Sequence, residues 1–384
     1  MLQLLGGKVK TIKTTFTHKY DIRFIIDDTD DMARFYEMDI SSYDRIFIVI
    51  DENVADLYSE NIIHKFEAFN KPIYIHKIQA NERAKSIEYY PEMVGFFEEN
   101  NAGRYDAVIA IGGGVVVDLV SFTCSTYMRG LHLFVIATTL IAQIDATTAG
   151  KTCLNTLNAK NLLGTYYYPH IVYNNIQYLK NNPNRIFRQG LSEVLKYGLL
   201  CNPQLVNKVI EYKKEVSNQS LLTEIVYLSI LARIRVRKIH PLASNLGHTF
   251  GHAIEKYYNY QILHGDAISI GMILSFYFSV SEGLMSSEIC QDIINIMRKV
   301  QLNTWMSDEI DTKRLIDLMH KDKKSNSRKL NLVLLKKIGF PYSGESPFYE
   351  VDYNIVQRFL SGFMDNYPFR VKNYIDFLKK DYLL

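Results

Sequence analysis

Over roughly the first 140 residues, short apolar runs alternate with stretches of helical spacing. RIFIVID (45–51), KPIYIHKI (71–78), YDAVIAIGGG (105–114) and HLFVIATT (132–139) are β-branched, apolar runs of strand length. Between them, NVADLYSENIIHKFEAF, SIEYYPEMVGFFEEN and VVDLVSFTCSTYM place apolar residues at helical intervals, with Pro91 as an internal irregularity of the second. Strands that are apolar on both faces, separated by helices, predict a parallel sheet covered on both sides. The expected fold class is therefore α/β, with a doubly wound sheet of nucleotide-binding type in the N-terminal half.

From about residue 180 the period changes. RIFRQGLSEVLKYGLL, LTEIVYLSILARIRVRKI, HTFGHAIEKYY, GDAISIGMILSFYFSVSEGL and SEICQDIINIMRKV all carry helical spacing, and NLVLLKKIG (331–339) is strand-like. This predicts a mostly α-helical second domain, with 1–179 as the α/β unit and 180–384 as the helical unit. The stretch ATTAGKTCLNTLNAKNLLGTYYYP (146–169) reads as a connector, and ligand sites favour such interdomain crevices.

Two constellations carry chemistry. The first is the glycine turn GGGVVVD (112–118), which follows an apolar strand and opens a helix. Such a turn lets backbone N–H groups approach a pyrophosphate at a helix N-terminus, although the spacing is not GxGxxG and the pattern also serves any tight turn in an α/β sheet. Asp51, at the end of an earlier strand, suits a ribose hydroxyl or the capping of the following helix. The second is a set of metal-ligand residues in three separate helix-like segments: Glu193 in GLSEVLKYG, His248 and His252 in GHTFGHAIE, and His264 in HGDAISIG. One carboxylate with two or three imidazoles makes a catalytic Zn²⁺ site that keeps an open position. Cations in Gly- and Asn-rich loops suit phosphate or carboxylate: Arg129, Lys151 in AGKT, Lys160 beside Asn161, and Lys323 and Lys324 in HKDKK. A solvated surface charge is the plainer alternative for each.

The bulk numbers exclude more than they assert. A net charge of +3 is too small to argue for nucleic acid or a membrane surface. No run of about 18 apolar residues predicts a spanning helix. The four cysteines have no CxxC spacing and read as thiols of a reducing compartment, and the N-terminus lacks an apolar secretory core, so the expected location is cytoplasmic.

The motifs DENVADLY, NERAKSIE, GGGVVVDLVSFTCSTYMRG, AGKTCLN, AKNLLG, GLSEVLKYG, NLGHTFGHAIE, HGDAISIGM and DKK occur in this order. In this the chain resembles the sugar phosphate cyclases, most closely the 3-dehydroquinate synthases. The resemblance implies an NAD-binding α/β domain, a helical metal-binding domain and a homodimer. It implies Zn²⁺, for which Co²⁺ can substitute, held by Glu193, His248 and His264, with His252 beside the substrate rather than on the metal. Asp51, Asn53, Glu82, Lys85, Gly113, Gly114, Asp118, Thr138, Thr139, Asp145 and Lys160 would contact NAD. Arg129, Lys151, Asn161 and one of Lys323 and Lys324 would hold phosphate, and Lys196 and Asn245 substrate hydroxyls. The implied reaction acts on a phosphorylated seven-carbon sugar, 3-deoxy-arabino-heptulosonate 7-phosphate. It oxidises an alcohol, eliminates phosphate, returns the hydride and closes a carbocycle.

One departure bears on the substrate. Between RIRVRKI and NLGHT only HPLAS (240–244) stands where the family carries a longer acidic segment with a carboxylate-binding arginine. Arg235 matches the family's carboxylate-binding lysine, with Arg237 and Lys238 as other candidates. A related secondary-metabolite cyclase, such as an aminodehydroquinate-type synthase, stays open as an alternative. So do a glycerol dehydrogenase-type metal-dependent alcohol dehydrogenase and a binding protein without activity.

Overall fold

A computed structural model describes residues 21–25, 39–67, 69–157, 159–212, 218–240, 242–320 and 329–379. Six parallel strands form one sheet: β1 (Asp21–Ile25), β2 (Ile46–Asp51), β3 (Ile73–Ile78), β4 (Ala107–Gly112), β5 (His132–Ala137) and β8 (Ile171–Asn175), in the order β1-β8-β5-β4-β2-β3. Alternate residues of each strand face opposite layers, which is why the runs are apolar throughout. Phe47, Val49, Val108, Ala110 and Val135 pack with Met93 and Phe97 of helix Tyr90–Glu99 and Val116 and Val120 of helix Gly114–Thr126. Ile46, Ile48, Ile50, Ile109, Ile111 and Ile136 face the other way, onto Ala55, Ile62 and Phe66 of helix Glu52–Glu67. Pro91 stands in the first turn of its helix, where a missing N–H costs nothing, and not inside it as the spacing suggested.

The chain leaves β2 toward β3 on one side and returns to β4 on the other, so the winding reverses between β2 and β4. The crevice beyond the carboxyl ends of these two strands is where open α/β sheets bind ligands. Asp51 closes β2 there and Gly112 closes β4; a Cβ on Gly112 would lie 3.4 Å from the Cβ of Asp51.

The stretch 146–169 is not a plain connector. It contains an antiparallel hairpin, β6 (Lys151–Thr156) and β7 (Ala159–Tyr166), with its own register. The hairpin docks on the loop after β3: Asn155 N donates to Lys85 O at 2.9 Å and Ile87 N to Asn155 O at 3.0 Å.

Beyond β8 the structure is mostly helical: Asn184–Cys201, Pro203–Glu211, Gln219–Ile239, His248–Tyr257, His264–Ser281, Ser287–Lys299, Thr312–His320 and Tyr353–Asn366. Helices 184–201 and 264–281 are buried on nearly every face and form the centre of this half. The strand-like piece at 331–339 is two short strands, Lys329–Leu332 and Leu335–Lys337, in separate two-stranded sheets. Helix Leu140–Ile144 ties the halves together, since Leu140 and Ile144 belong to the same apolar core as Leu191, Val194 and Leu195.

Helices 248–257 and 264–281 cross at backbone contact. Gly247 has φ +76°, and a Cβ on Gly271 would run into the Gly247 carbonyl and come within 2.7 Å of Gly251 N. Gly95, inside helix 90–99, has nothing within 4 Å of its absent Cβ. Gly271→Ala is therefore expected to destabilise by about 1–3 kcal/mol through overpacking. Gly95→Ala should stabilise by about 0.5–1 kcal/mol through helix propensity. Thermal unfolding of the two variants against the parent checks both signs.

Candidate active site

A cleft of about 1500 Å³ runs from the β2–β4 crevice, past the hairpin, to the first turns of helices 248–257 and 264–281. Beside three of its lining residues, Lys196, His248 and His264, stands Glu193, 1% exposed, on helix 184–201. Glu193 Oε2 accepts from Lys196 Nζ, one turn along the same helix. Glu193 Oε1 is buried and accepts nothing. Facing this oxygen are His264 Nε2 at 3.7 Å and His248 Nε2 at 3.8 Å. Each histidine is the first residue of its helix, so the two helix starts bring them side by side.

The tautomers follow from the other ring nitrogens. His248 Nδ1 lies 3.1 Å from the Leu246 carbonyl, which can only accept, so Nδ1 carries the proton and Nε2 the lone pair. His264 Nδ1 lies 3.5 Å from Glu255 Oε2, and a carboxylate there has the same effect. Ligands about 2.0–2.1 Å from a tetrahedral ion stand about 3.4 Å apart. An orphaned carboxylate oxygen and two imidazole lone pairs at 3.7–3.8 Å fit a Zn²⁺-sized cation with a position left open. His252 lies on the same helix face as His248, with ring centroids 5.3 Å apart, and shares a second cluster with Glu255 and His264. Burial would raise the Glu255 carboxyl, but His264, His252 and Lys160 more than offset this and hold it at about 2.

The cleft's other end is lined by Gly113, Gly114, Thr138, Thr139, Asp51 and Asn53. Gly113 stands where a Cβ would press on Thr139 at 3.1 Å, so the turn needs glycine for its neighbours as well as for any ligand. Asp51 Oδ1 accepts from Asn53 N and Nδ2, both at 3.0 Å; it caps helix 52–67 with one oxygen and keeps the other. Thr139 caps the next helix through Ala142 N, while Thr138 Oγ1 is buried without a partner. Lys85 and Asp118 form a buried ion pair at 2.5 Å, to which Cys153 Sγ donates at 3.3 Å. Burial alone would lower the Lys85 ammonium; Asp118, Cys153 and Glu82 hold it above its ordinary value.

The hairpin supplies the middle of the cleft with Lys151, Lys160 and Asn161. Burial, then the charges of Arg237 and Arg233, lower the Lys151 ammonium. Such a cation has too little negative charge around it, and an anion would restore the balance. Asn161 holds φ +53° and its N–H donates to Asn155 Oδ1 at 3.0 Å. Asn245 lines the cleft just before His248, whose N–H donates to its carbonyl at 3.0 Å.

Asp145 lines the cleft but is already engaged. Tyr197 OH donates to its Oδ1 at 2.5 Å, and Arg233 Nε reaches the same oxygen. Burial would raise this carboxyl, and Arg233 and Lys196 bring it well below the usual range. Arg233 also donates to Thr148 Oγ1. Arg233, Tyr197 and Glu255 escaped the sequence reading, although each stands in or beside a motif it quoted. Arg235 is exposed, whereas Arg237 shares the Arg233 face and reaches the Ala149 carbonyl at 3.4 Å. Two residues along a helix turn a side chain by about 200°, so Arg235 points away while Arg233 lines the cleft and Arg237 stands beside its lining residue Ala149.

Three residues expected at phosphate are not among the described lining of this cleft. Arg129 does not line the cleft of its own chain; Met128 and Arg129 take φ of +48° and +66°, and that turn leaves Arg129 exposed. Lys323 and Lys324 lie outside the described residues.

The family models described as 3-dehydroquinate synthase N-terminal and C-terminal match residues 75–189 and 190–325. The 3-dehydroquinate synthase of Streptococcus agalactiae serotype Ia is 35% identical over 317 residues, covering 80% of this chain and 88% of the relative. That of Sulfurisphaera tokodaii is 36% identical over 287 residues, covering 71% and 82%. Among solved structures, the 2-epi-5-epi-valiolone synthase of Streptomyces hygroscopicus with NAD⁺ and Zn²⁺ bound superposes with a TM-score of 0.82 at 23% identity, covering 92% of this chain and 99% of that one. A 2-deoxy-scyllo-inosose synthase complexed with carbaglucose-6-phosphate, NAD⁺ and Co²⁺ gives 0.78, also at 23%, covering 88% and 95%. At that identity the two structures establish the common fold, while the sequence matches extend along both halves of the cleft: the chain belongs to the 3-dehydroquinate synthase family.

Proposed function

We propose that this chain converts 3-deoxy-arabino-heptulosonate 7-phosphate into 3-dehydroquinate, as an NAD- and divalent-metal-dependent sugar phosphate cyclase. The observation that carries the reading is Glu193 Oε1, buried without a partner and faced by His248 and His264, which line the same cleft as the glycine turn and Lys151. Bound there, the metal would supply Lewis acidity toward a substrate alcohol, and NAD a hydride acceptor that is restored within the cycle.

The chain's own residues bind and orient. Glu193, His248 and His264 would hold Zn²⁺ or Co²⁺. Asp51, Asn53, Glu82, Lys85, Gly113, Gly114, Asp118, Thr138, Thr139 and Lys160 would receive the dinucleotide. Lys151 and Asn161 take the phosphate and keep it close to the carbon it leaves. Lys196 and Asn245 orient substrate hydroxyls, and His252 stands where a proton can be exchanged beside them. Asp145, held by Tyr197 and Arg233, keeps helix 140–144 against the helical half. Arg237, at the hairpin end of the cleft, supplies a cation for the substrate carboxylate in place of the shortened segment's arginine. Arg129 reaches a phosphate only if a second copy presents it, which is consistent with a homodimer. Among the described residues no helix is long and apolar enough to cross a membrane, and a cytoplasmic location completes the reading.

The deciding experiment follows inorganic phosphate and NADH together when the protein, NAD⁺ and Zn²⁺ meet the heptulosonate phosphate. Phosphate release without net NADH is expected; accumulating NADH without phosphate points instead to an alcohol dehydrogenase. Glu193→Ala and His264→Ala should lose bound metal, read by elemental analysis after dialysis, and with it turnover. A variant that is metal-free yet fully active refutes the ligand set. Lys151→Ala should weaken phosphorylated sugars by about 1.5–3 kcal/mol while sparing NAD⁺. Arg237→Gln should weaken only carboxylate-bearing ones, so equal losses for a carboxylate-free sugar phosphate would remove Arg237 from that role. Calorimetric titration of both variants distinguishes these outcomes.

A further inference from the structure

Lys160 on β7 lies between two carboxylates that belong to different halves of the cleft. Its Nζ is 3.5 Å from Glu82 Oε1 and 3.7 Å from Glu255 Oε1, and it sits 4.5 Å above the ring of Tyr260. The first carboxylate is fixed to the hairpin. Asn155 Nδ2 donates to Glu82 Oε1 at 2.8 Å and to the Glu82 carbonyl at 3.2 Å. The second stands on helix 248–257, and its other oxygen is 3.5 Å from His264 Nδ1. His264 Nε2 is in turn 3.7 Å from Glu193 Oε1. A line of polar contacts thus runs from the dinucleotide end of the cleft to the metal end: Glu82, Lys160, Glu255, His264, Glu193.

Charged N–H···O contacts close to about 2.7–2.9 Å when one partner holds the other fully. Both Lys160 separations exceed that, so the ammonium is shared and Glu255 is partly neutralised by it. An imidazole whose N–H faces a full carboxylate is the stronger metal ligand at its other nitrogen.

We propose that Lys160 is a positioning residue that couples dinucleotide binding to metal binding. A dinucleotide pyrophosphate draws the ammonium toward the sheet half. Glu255 then turns its whole charge on His264, and Nε2 binds the cation more tightly. Linkage makes the effect reciprocal, so the metal tightens the dinucleotide by the same factor. This rests on the proposed binding of NAD and a divalent metal in this cleft.

The test titrates Co²⁺ into the metal-stripped full chain, read by its visible d–d absorption, with and without NAD⁺. NAD⁺ is titrated calorimetrically with and without Zn²⁺. In the parent protein each ligand is expected to tighten the other about tenfold. Lys160→Met should bind NAD⁺ more weakly by itself, while the factor between the two ligands falls to about one, and Lys160→Arg should restore that factor. If Lys160→Met does not fold, Lys160→Gln carries the same comparison. A factor unchanged in the methionine variant, or a parent that binds both ligands independently, overturns the coupling and leaves the proposed function standing. A parent that binds neither NAD⁺ nor Co²⁺ overturns both.

Discussion

A carboxylate oxygen buried without a partner is a charge that a folded chain tolerates only where something else supplies the compensation. Glu193 is such a group: Lys196 satisfies one of its oxygens and the other faces two imidazole nitrogens that carry lone pairs. Three electron-rich atoms pointed at one another repel unless a cation or a proton stands between them. The helical half is arranged around that demand. Helices 184–201 and 264–281 are sealed on nearly all sides, and the Gly247, Gly251 and Gly271 contacts press helices 248–257 and 264–281 together so that their first residues meet Glu193. Packing that tight holds the ligand atoms near the separation a small divalent ion requires.

The sheet half solves a different problem with equally local means. A winding reversal between β2 and β4 opens a crevice at their carboxyl ends, and the residues there are a carboxylate and a glycine turn. The turn is glycine partly because Val116 leaves no room for a Cβ at Gly112 and Thr139 crowds one at Gly113. The sheet can therefore seat a phosphate-bearing ligand with backbone N–H groups while Asp51 caps one helix and still offers an oxygen.

Much of this was legible in the sequence because two of its signals are periodic and one is compositional. Strands buried on both faces are apolar throughout, so β2, β4 and β5 stand out; the helical period then marks the second half. Glu193, His248 and His264 stand out because ligand residue types in apolar helical segments have few other uses. What was illegible was illegible for physical reasons. The hairpin at 151–166 turns polar residues to both faces, with Thr152 and Asn155 both buried, so no two-residue alternation betrays it. Glu255 meets the Glu193 cluster through His264 Nδ1 and resembles any charge at the end of an amphipathic helix. Arg233 and Arg235 have the same composition and opposite directions, which only the helix phase distinguishes.

The hairpin also changes how the two halves should be viewed. Treated as a linker, it would leave them free to bind their ligands separately. Docked as it is, it carries Lys151 and Asn161 into the middle of the cleft and places the Lys160 ammonium against a carboxylate from each side. A reaction that takes a hydride and gives it back needs the nicotinamide and the substrate alcohol held in one geometry throughout. Two rigid lobes joined by a flexible strap would not guarantee that. A short, hydrogen-bonded hairpin with its charges in contact with both lobes does so with few residues, and those residues lie where the sequence looked least like structure.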